Sequence, residues 1–333
     1  MKRLFALSLA LVMALSLAAC GGSKTPAAGS ASTSVASSAP TSAKPVDSAP
    51  VLTRGDQVSE DIKADDGTVA VIISYTPISI SYLANAEVEK AIQKDLDKVV
   101  ADFLQSARDY EEEAKTYYKE YLQSGGKAED FSPYVCSLDS KAIRQDTGVI
   151  STLFSSYAFT GGAHGGLVTF ARNYDAKTGK VLTMKDLGEG VSTLAIDNVV
   201  KFVDAIQKDG DAFFYDKVKA DDESVQSMLE TGNFYLSEDG LVLIDGQYLL
   251  QPYAAGIAEF TTSYDDLKGK LKEAYALTGG VTSCMGVETT YTFDKDGKLV
   301  STKTSYDPAV LNDGESNTNT AQDAADGSVS ASN

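Results

Sequence analysis

The 333-residue sequence has no tryptophan, a single histidine, three cysteines and eight prolines. Each scarcity closes something off. One histidine, His164, cannot build a typical zinc site alone, although Asp and Glu could complete one. The cysteines, Cys20, Cys136 and Cys284, lie in no recognisable nucleophile motif. No Gly-x-Ser-x-Gly elbow is present, and no lysine follows a glycine cluster at Walker spacing. No repeat recurs at a solenoid period. Basic residues are outnumbered 29 to 47 by acidic ones, for a formal charge of −18. That balance argues against nucleic acid and against a basic grip on anionic lipid. It leaves a cationic partner, or solubility alone. Beyond the first twenty residues no apolar run reaches transmembrane length.

What the chain does have begins with a leader. Lys2 and Arg3 precede an apolar run from Leu4 to Leu17, closed by Ala18, Ala19 and Cys20. A positive end, a short apolar core and small residues spell a secretory signal over residues 1–19. The Leu-Ala-Ala-Cys ending resembles a bacterial lipobox, which implies cleavage before Cys20 and lipidation of its sulfur. Acyl chains would then anchor the protein, each buried CH₂ contributing about 0.8 kcal/mol. The expected location is the outer face of the bacterial cytoplasmic membrane. Residues 21–50 are Gly, Ser, Ala, Thr and Pro with almost no large apolar side chain, and residues 20–56 read as a tether. Outside the cytoplasm, Cys136 and Cys284 could form a disulfide or remain two buried thiols.

Folded sequence is expected from about Gln57. Thr68 to Ser74 is a β-rich run that Tyr75, Thr76 and Pro77 end, since proline removes a ladder donor. Val88, Ile92, Leu96, Val99, Phe103, Ala107, Tyr110, Ala114, Tyr117 and Tyr121 recur every three or four residues. They predict one helix of about 55 Å at 1.5 Å per residue. Asn85 is its expected N-cap, and Gly125 with Gly126 its stop. Strands follow between Phe131 and Tyr174. A second helix is expected at Val191–Ile206, a short third at Ser224–Glu230, and another at Tyr264–Leu271. Phe234–Leu236 and Leu241–Ile244 form a hairpin, and Ile257–Thr262 a strand. Glu288–Phe293 and Leu299–Tyr306 flank a turn at Asp294, Asp296 and Gly297, which lacks the acidic positions of a calcium loop. Residues 311–333 are small and polar, and are expected to be disordered. The predicted class is α+β, a mostly antiparallel sheet packed against one long and one or two shorter helices.

The stretch with the densest chemistry is Tyr157 to Gly166. It holds Gly161, Gly162, Gly165, Gly166 and His164 between two alternating runs that read as strands. Four glycines in six residues imply left-handed backbone, a bulge, or a surface lying against bare backbone. A turn or bulge fits better than an anion nest, because no helix starts there. His164 could serve as a general base if a partner oriented it; the plainer reading has it bonding nearby carbonyls at the strand junction. Among 17 tyrosines, Tyr253 and Tyr248 on loops suit an adaptable binding face, whereas most of the others suit packing.

These residues resemble a known family. Tyr157, Phe159, Thr160, Gly161, Gly162, Ala163, His164 and Gly165 match its motif, with Gly161, Gly162, Ala163 and His164 as the specific part. Around them stand Tyr75–Pro77 with the helix after it, Asn173–Asp175 with Thr178–Lys180, Asp186–Leu187, Phe234–Leu236 and Pro252–Gly256. The pattern, over roughly residues 60–272, is similar to the extracellular domain shared by the anti-sigma factor RsiV and the non-catalytic part of the peptidoglycan deacetylase PdaC. The resemblance implies a PdaC-like half at 57–175, an RsiV-like half at 176–280 and an added hairpin at 281–310. It also implies a domain that acts by binding: lysozyme in RsiV-like proteins, the cell wall in PdaC-like ones. The expectation is therefore a binding protein rather than an enzyme, with no cofactor. Its partner would be a lysozyme-like cationic protein or a peptidoglycan fragment, with Gly161, Gly162, His164, Gly165, Pro252 and Tyr253 in contact. Two alternatives stay open: a cell-wall hydrolase or deacetylase using His164 and nearby carboxylates, and an envelope lipoprotein that meets other envelope proteins.

Overall fold

The computed structural model describes residues 49–82, 84–207, 217–253, 256–293 and 299–310. The expected leader, the lipidated Cys20, most of the tether, the turn at 294–297 and the tail at 311–333 lie outside the described residues. The ordered chain starts earlier than Gln57: β1 (Val51–Arg54) pairs antiparallel with β4 (Ile78–Ser81).

Sheet one has the order β2-β3-β5-β6-β7, made of Val58–Lys63, Val69–Tyr75, Tyr134–Gln145, Val149–Phe159 and Gly166–Asp175. Its pairings are antiparallel except β3 with β5. That parallel pair needs a crossover, and helices α1 (Ala86–Arg108) and α2 (Glu111–Gln123) provide it. The side chain of Asn85 accepts from the Val88 amide at 3.2 Å, the cap its position predicts. The expected single helix is divided at Asp109 and Tyr110, where the Tyr110 amide bonds back to the Ala107 carbonyl in a tighter turn. Val88, Ile92, Leu96 and Val99 of α1 pack on Leu138, Ile150, Phe154 and Tyr174 of the sheet. Each such burial contributes about 1.5–3 kcal/mol.

After α3 (Met184–Leu187), α4 (Val191–Gln207) and α5 (Glu223–Gln226), sheet two runs antiparallel in the order β12-β11-β10-β9-β8. Its strands are Leu299–Val310, Ser283–Phe293, Ile257–Ser263, Gly240–Ile244 and Phe234–Leu236. The closing hairpin continues sheet two, because β11 pairs with β10 as well as β12. Residues 264–271 form successive turns instead of the expected helix; Gly269, at φ +78°, leaves the helical region.

The two sheets lie face to face. Val242, Ile244 and Ile257 of sheet two meet Ala171, Leu153 and Leu167 of sheet one. The opposite face of sheet two, through Leu241, Leu243 and Phe260, packs on Val199, Phe202 and Val203 of α4. Both faces of β9 are therefore covered, which explains its unbroken apolar run. The layers are helix, sheet, sheet, helix.

Cys136 and Cys284 are not bonded to each other. Cys136 lies in the cluster between β5 and the α1–α2 layer, and Cys284 in the α4 core of sheet two. Burial pushes their thiols up to about 11 and about 12 respectively, so both are inert near neutrality.

Polar links join the sheets where apolar packing alone would let them slide. Asn173 on β7 donates to the Phe234 carbonyl at 2.8 Å and accepts from the Leu236 amide at 3.2 Å and the Ser151 hydroxyl at 2.7 Å. Arg144 donates from Nη1 to the Tyr264 hydroxyl at 2.6 Å and the Tyr275 carbonyl at 2.8 Å, and from Nε to Asp146 at 2.5 Å. Asn173→Ala strands buried groups on both sheets. It is expected to cost about 2–4 kcal/mol in urea unfolding, against less than about 1 kcal/mol for Lys98→Ala on the exposed face of α1. Equal effects of the two would remove Asn173 as the link.

Candidate functional site

β6 and β7 form a long hairpin, and residues 160–165 close it. Gly161 and Gly162 have φ of +89° and +88°, a backbone that L side chains rarely adopt. Gly165 is required for another reason. A Cβ there would lie 2.4 Å from Cζ of Tyr157, whose ring rests on the bare backbone. Gly166, the first residue of β7, meets neither condition.

This geometry turns His164 outward. Its Nδ1 lies 3.0 Å from the Gly165 carbonyl, the strand-junction bond its position suggested. Its ring stacks on Tyr253, with centroids 4.0 Å apart and planes 22° from parallel. Its Nε2 lies 3.3 Å from the Tyr248 hydroxyl. Tyr248 and Tyr253 are themselves neighbours, at 5.8 Å between centroids. The connection between β9 and β10 thus delivers two tyrosines to a turn some eighty residues earlier in the chain. Gln247 fastens the two segments by accepting the Leu167 amide at 3.1 Å.

Tyr248 is 49% exposed, and at φ +66° it is the one non-glycine residue with positive φ among the described residues. Such a conformation costs of order 1–3 kcal/mol and persists only where the surroundings impose it. Pro252 is half-buried next to Tyr253. Of the residues expected at the site, Gly161, Gly162, His164, Gly165 and Tyr253 converge, with Pro252 adjoining. Tyr157 reads as part of the motif and of an alternating strand, without a place at the site, and Gln247, which carries no sequence signal, was missed.

Both ring nitrogens of His164 have partners, a phenol and a carbonyl. Among the described residues no group of three or more His, Cys, Asp or Glu could hold a metal ion. What the arrangement offers is a set of flat, partly exposed rings with hydrogen-bonding edges. A separate cavity of about 510 Å³ opens beside the β5 bulge, walled by Arg144, Asp146, Glu238, Leu277 and Thr278.

Under the tyrosine-bearing connection lies Asp245, fully buried, its carboxylate accepting no hydrogen bond. Burial pushes it up to about 8; the nearby Leu250 amide opposes this without reaching bonding geometry. The same negative group, after burial, raises the neighbouring Cys284.

Residues 62–166 match the family model "Deacetylase PdaC", and residues 193–265 match "Protein of unknown function (DUF3298)". The chain carries a PdaC/RsiV-like domain. The PdaC-type match ends at Gly166, so it includes the whole His164 turn, while Tyr248 and Tyr253 fall in the DUF3298 match. A DUF3298-family crystal structure from Bacteroides fragilis shares the fold. It is 16% identical with a TM-score of 0.50, covering 68% of this chain and 94% of that one. A DUF3298-family protein from Pseudomonas aeruginosa is 18% identical with a TM-score of 0.44, over 68% and 98%. No curated protein matches the chain.

Asp245 makes stability depend on pH in a stated direction. Its carboxyl ionises near 3.8 when unfolded and near 8 when folded. Between those values the unfolded chain gives up the proton first, so rising pH erodes stability by up to about 1.4 kcal/mol per pH unit. Asp245→Asn removes that erosion. Thermal melts are expected to show the variant gaining on the parent from pH 5 to pH 8. Parallel curves would mean that the folded chain ionises Asp245 normally.

Proposed function

We propose that this protein is a ligand-binding protein of the bacterial cell envelope, not an enzyme, held to the outer face of the cytoplasmic membrane by lipid on Cys20. Its ligand is a cationic wall-acting protein such as lysozyme, docked on the face formed by the Gly161–Gly165 turn, His164, Pro252, Tyr253 and Tyr248. The observation that carries this reading is the strained, exposed Tyr248 held beside the stacked His164 and Tyr253. Rigid aromatic side chains with polar tips supply contact area at low entropic cost, as in antibody paratopes. The formal charge of −18 favours a cationic partner and speeds encounter with one. No helix among the described residues is long and apolar enough to cross a membrane. A second reading, a peptidoglycan fragment stacked on the same rings, draws on their flat exposed faces.

Binding of lysozyme to the full chain, measured at low and moderate salt, tests the proposal. Tight binding that weakens only modestly with salt is expected, because a docked interface is screened less than free charges. The pair His164→Ala and Tyr253→Ala is expected to weaken it about tenfold or more with stability nearly unchanged. Binding that vanishes at moderate salt, or ignores both substitutions, would overturn the docking face. Binding of muropeptides instead would favour the second reading.

A further inference from the structure

The glycine turn has a second aromatic neighbour. A Cβ at Gly161 would lie 3.9 Å from Cζ of Tyr117 and 4.0 Å from Cε1 of Tyr134. Tyr117 belongs to α2, and its ring centroid is 5.7 Å from those of Phe131 and Tyr134. Tyr121 lies 5.5 Å from Phe131 on the same side. Tyr134 is buried beneath the group, whereas Tyr117 is 40% exposed. This aromatic cluster was legible in the sequence only as the apolar stripe of a helix. The turn leaves one ring of it open beside the His164 face.

Charge decides what such a ring would take. Glu113, Tyr117 and Glu120 follow at helical spacing and share one face of α2. Both carboxylates are exposed. The basic residues of α2 are engaged elsewhere, Lys115 with Glu111 at 2.5 Å and Lys119 with Asp65 at 3.9 Å. Among the described residues neither Glu113 nor Glu120 is in an ion pair. The Tyr134 hydroxyl donates to Glu113 at 3.4 Å, which places that carboxylate at the rim of the cluster. A ring face attracts a cation through its quadrupole, and two uncompensated carboxylates beside it add Coulomb attraction. A neutral sugar would draw nothing from the carboxylates.

Resting on the binding reading above, we infer that the α2 cluster is the second half of the docking face. It takes a lysine or arginine side chain of a cationic protein partner, with the cation over Tyr117 between Glu113 and Glu120. Gly161 borders this cation site and His164, three residues on, belongs to the stack with Tyr253, so one partner reaches both.

The test uses the full chain and a tetra-arginine peptide with blocked ends, titrated by calorimetry, with tetra-citrulline as the uncharged control. The chain is expected to prefer tetra-arginine. Tyr117→Ala is expected to weaken that binding about fivefold or more, and Tyr117→Phe, which keeps the ring, to retain it. A Glu113→Gln, Glu120→Gln double variant is expected to weaken it while sparing lysozyme contacts at Tyr253. Equal affinity for the two peptides, or no effect of Tyr117→Ala, would overturn the inference. Lysozyme binding read on the same variants separates the two readings. Loss on Tyr253→Ala with no change on Tyr117→Ala sinks the second half of the face and leaves the first. Absence of lysozyme binding, with the tetra-arginine pattern intact, removes lysozyme as the ligand and keeps the cation site.

Discussion

The side-chain amide of Asn173, 2% exposed, satisfies two backbone groups of β8 and the hydroxyl of Ser151 at once. β7 is the last strand of sheet one and β8 the last of sheet two. The outer edge of β7 is covered in part by Lys180 and Leu182, whose carbonyl and amide bond Asp175 and Asn173. Asn173 bridges the two strands, helped by the Ala171 amide on the Gly232 carbonyl at 2.7 Å. Arg144 makes the corresponding link at the β5 bulge, reaching the turns after β10. These links are directional, and apolar packing is not. They fix the register of one sheet on the other.

The aromatic cluster depends on that register. The far end of the β6–β7 hairpin meets the β9–β10 connection, where Gln247 accepts from the Leu167 amide. Once there, the glycines let backbone and rings approach closely, and Gln247 holds the seam. The connection between β9 and β10 is also where the fold carries its costs. Tyr248 occupies left-handed backbone, and Asp245, three residues earlier, is buried without a hydrogen-bond partner for its carboxylate. Neither feature contributes to stability.

Much of this was legible along the chain. The 3.6-residue stripe of α1, its Asn85 cap, the Pro77 strand end and the hairpin turns are local statements, and local chemistry decides them. The glycine and histidine cluster announced a special turn. The misses have equally physical causes. The long stripe did not reveal the break at Tyr110, because apolar spacing continues through it. Tyr264–Leu271 has helical composition, but Gly269 and long-range bonds take it into turns. Cys136 and Cys284 left a bridge or two buried thiols open, and strand alternation points them into different cores.

The sequence by itself determined most of the elements, the α+β class, the acidic balance and the family resemblance, since each rests on composition, periodicity or short motifs. Only the tertiary structure decided which residues share a site. His164 meets Tyr248 and Tyr253, and Gly161 meets Tyr117, across separations that no local pattern encodes. It also decided that Asp245 is buried and unpaired and that the two thiols are apart. The reason is the same in each case: these properties belong to the packing of one sheet on another, which a handful of buried polar bonds sets and no single stretch of chain contains.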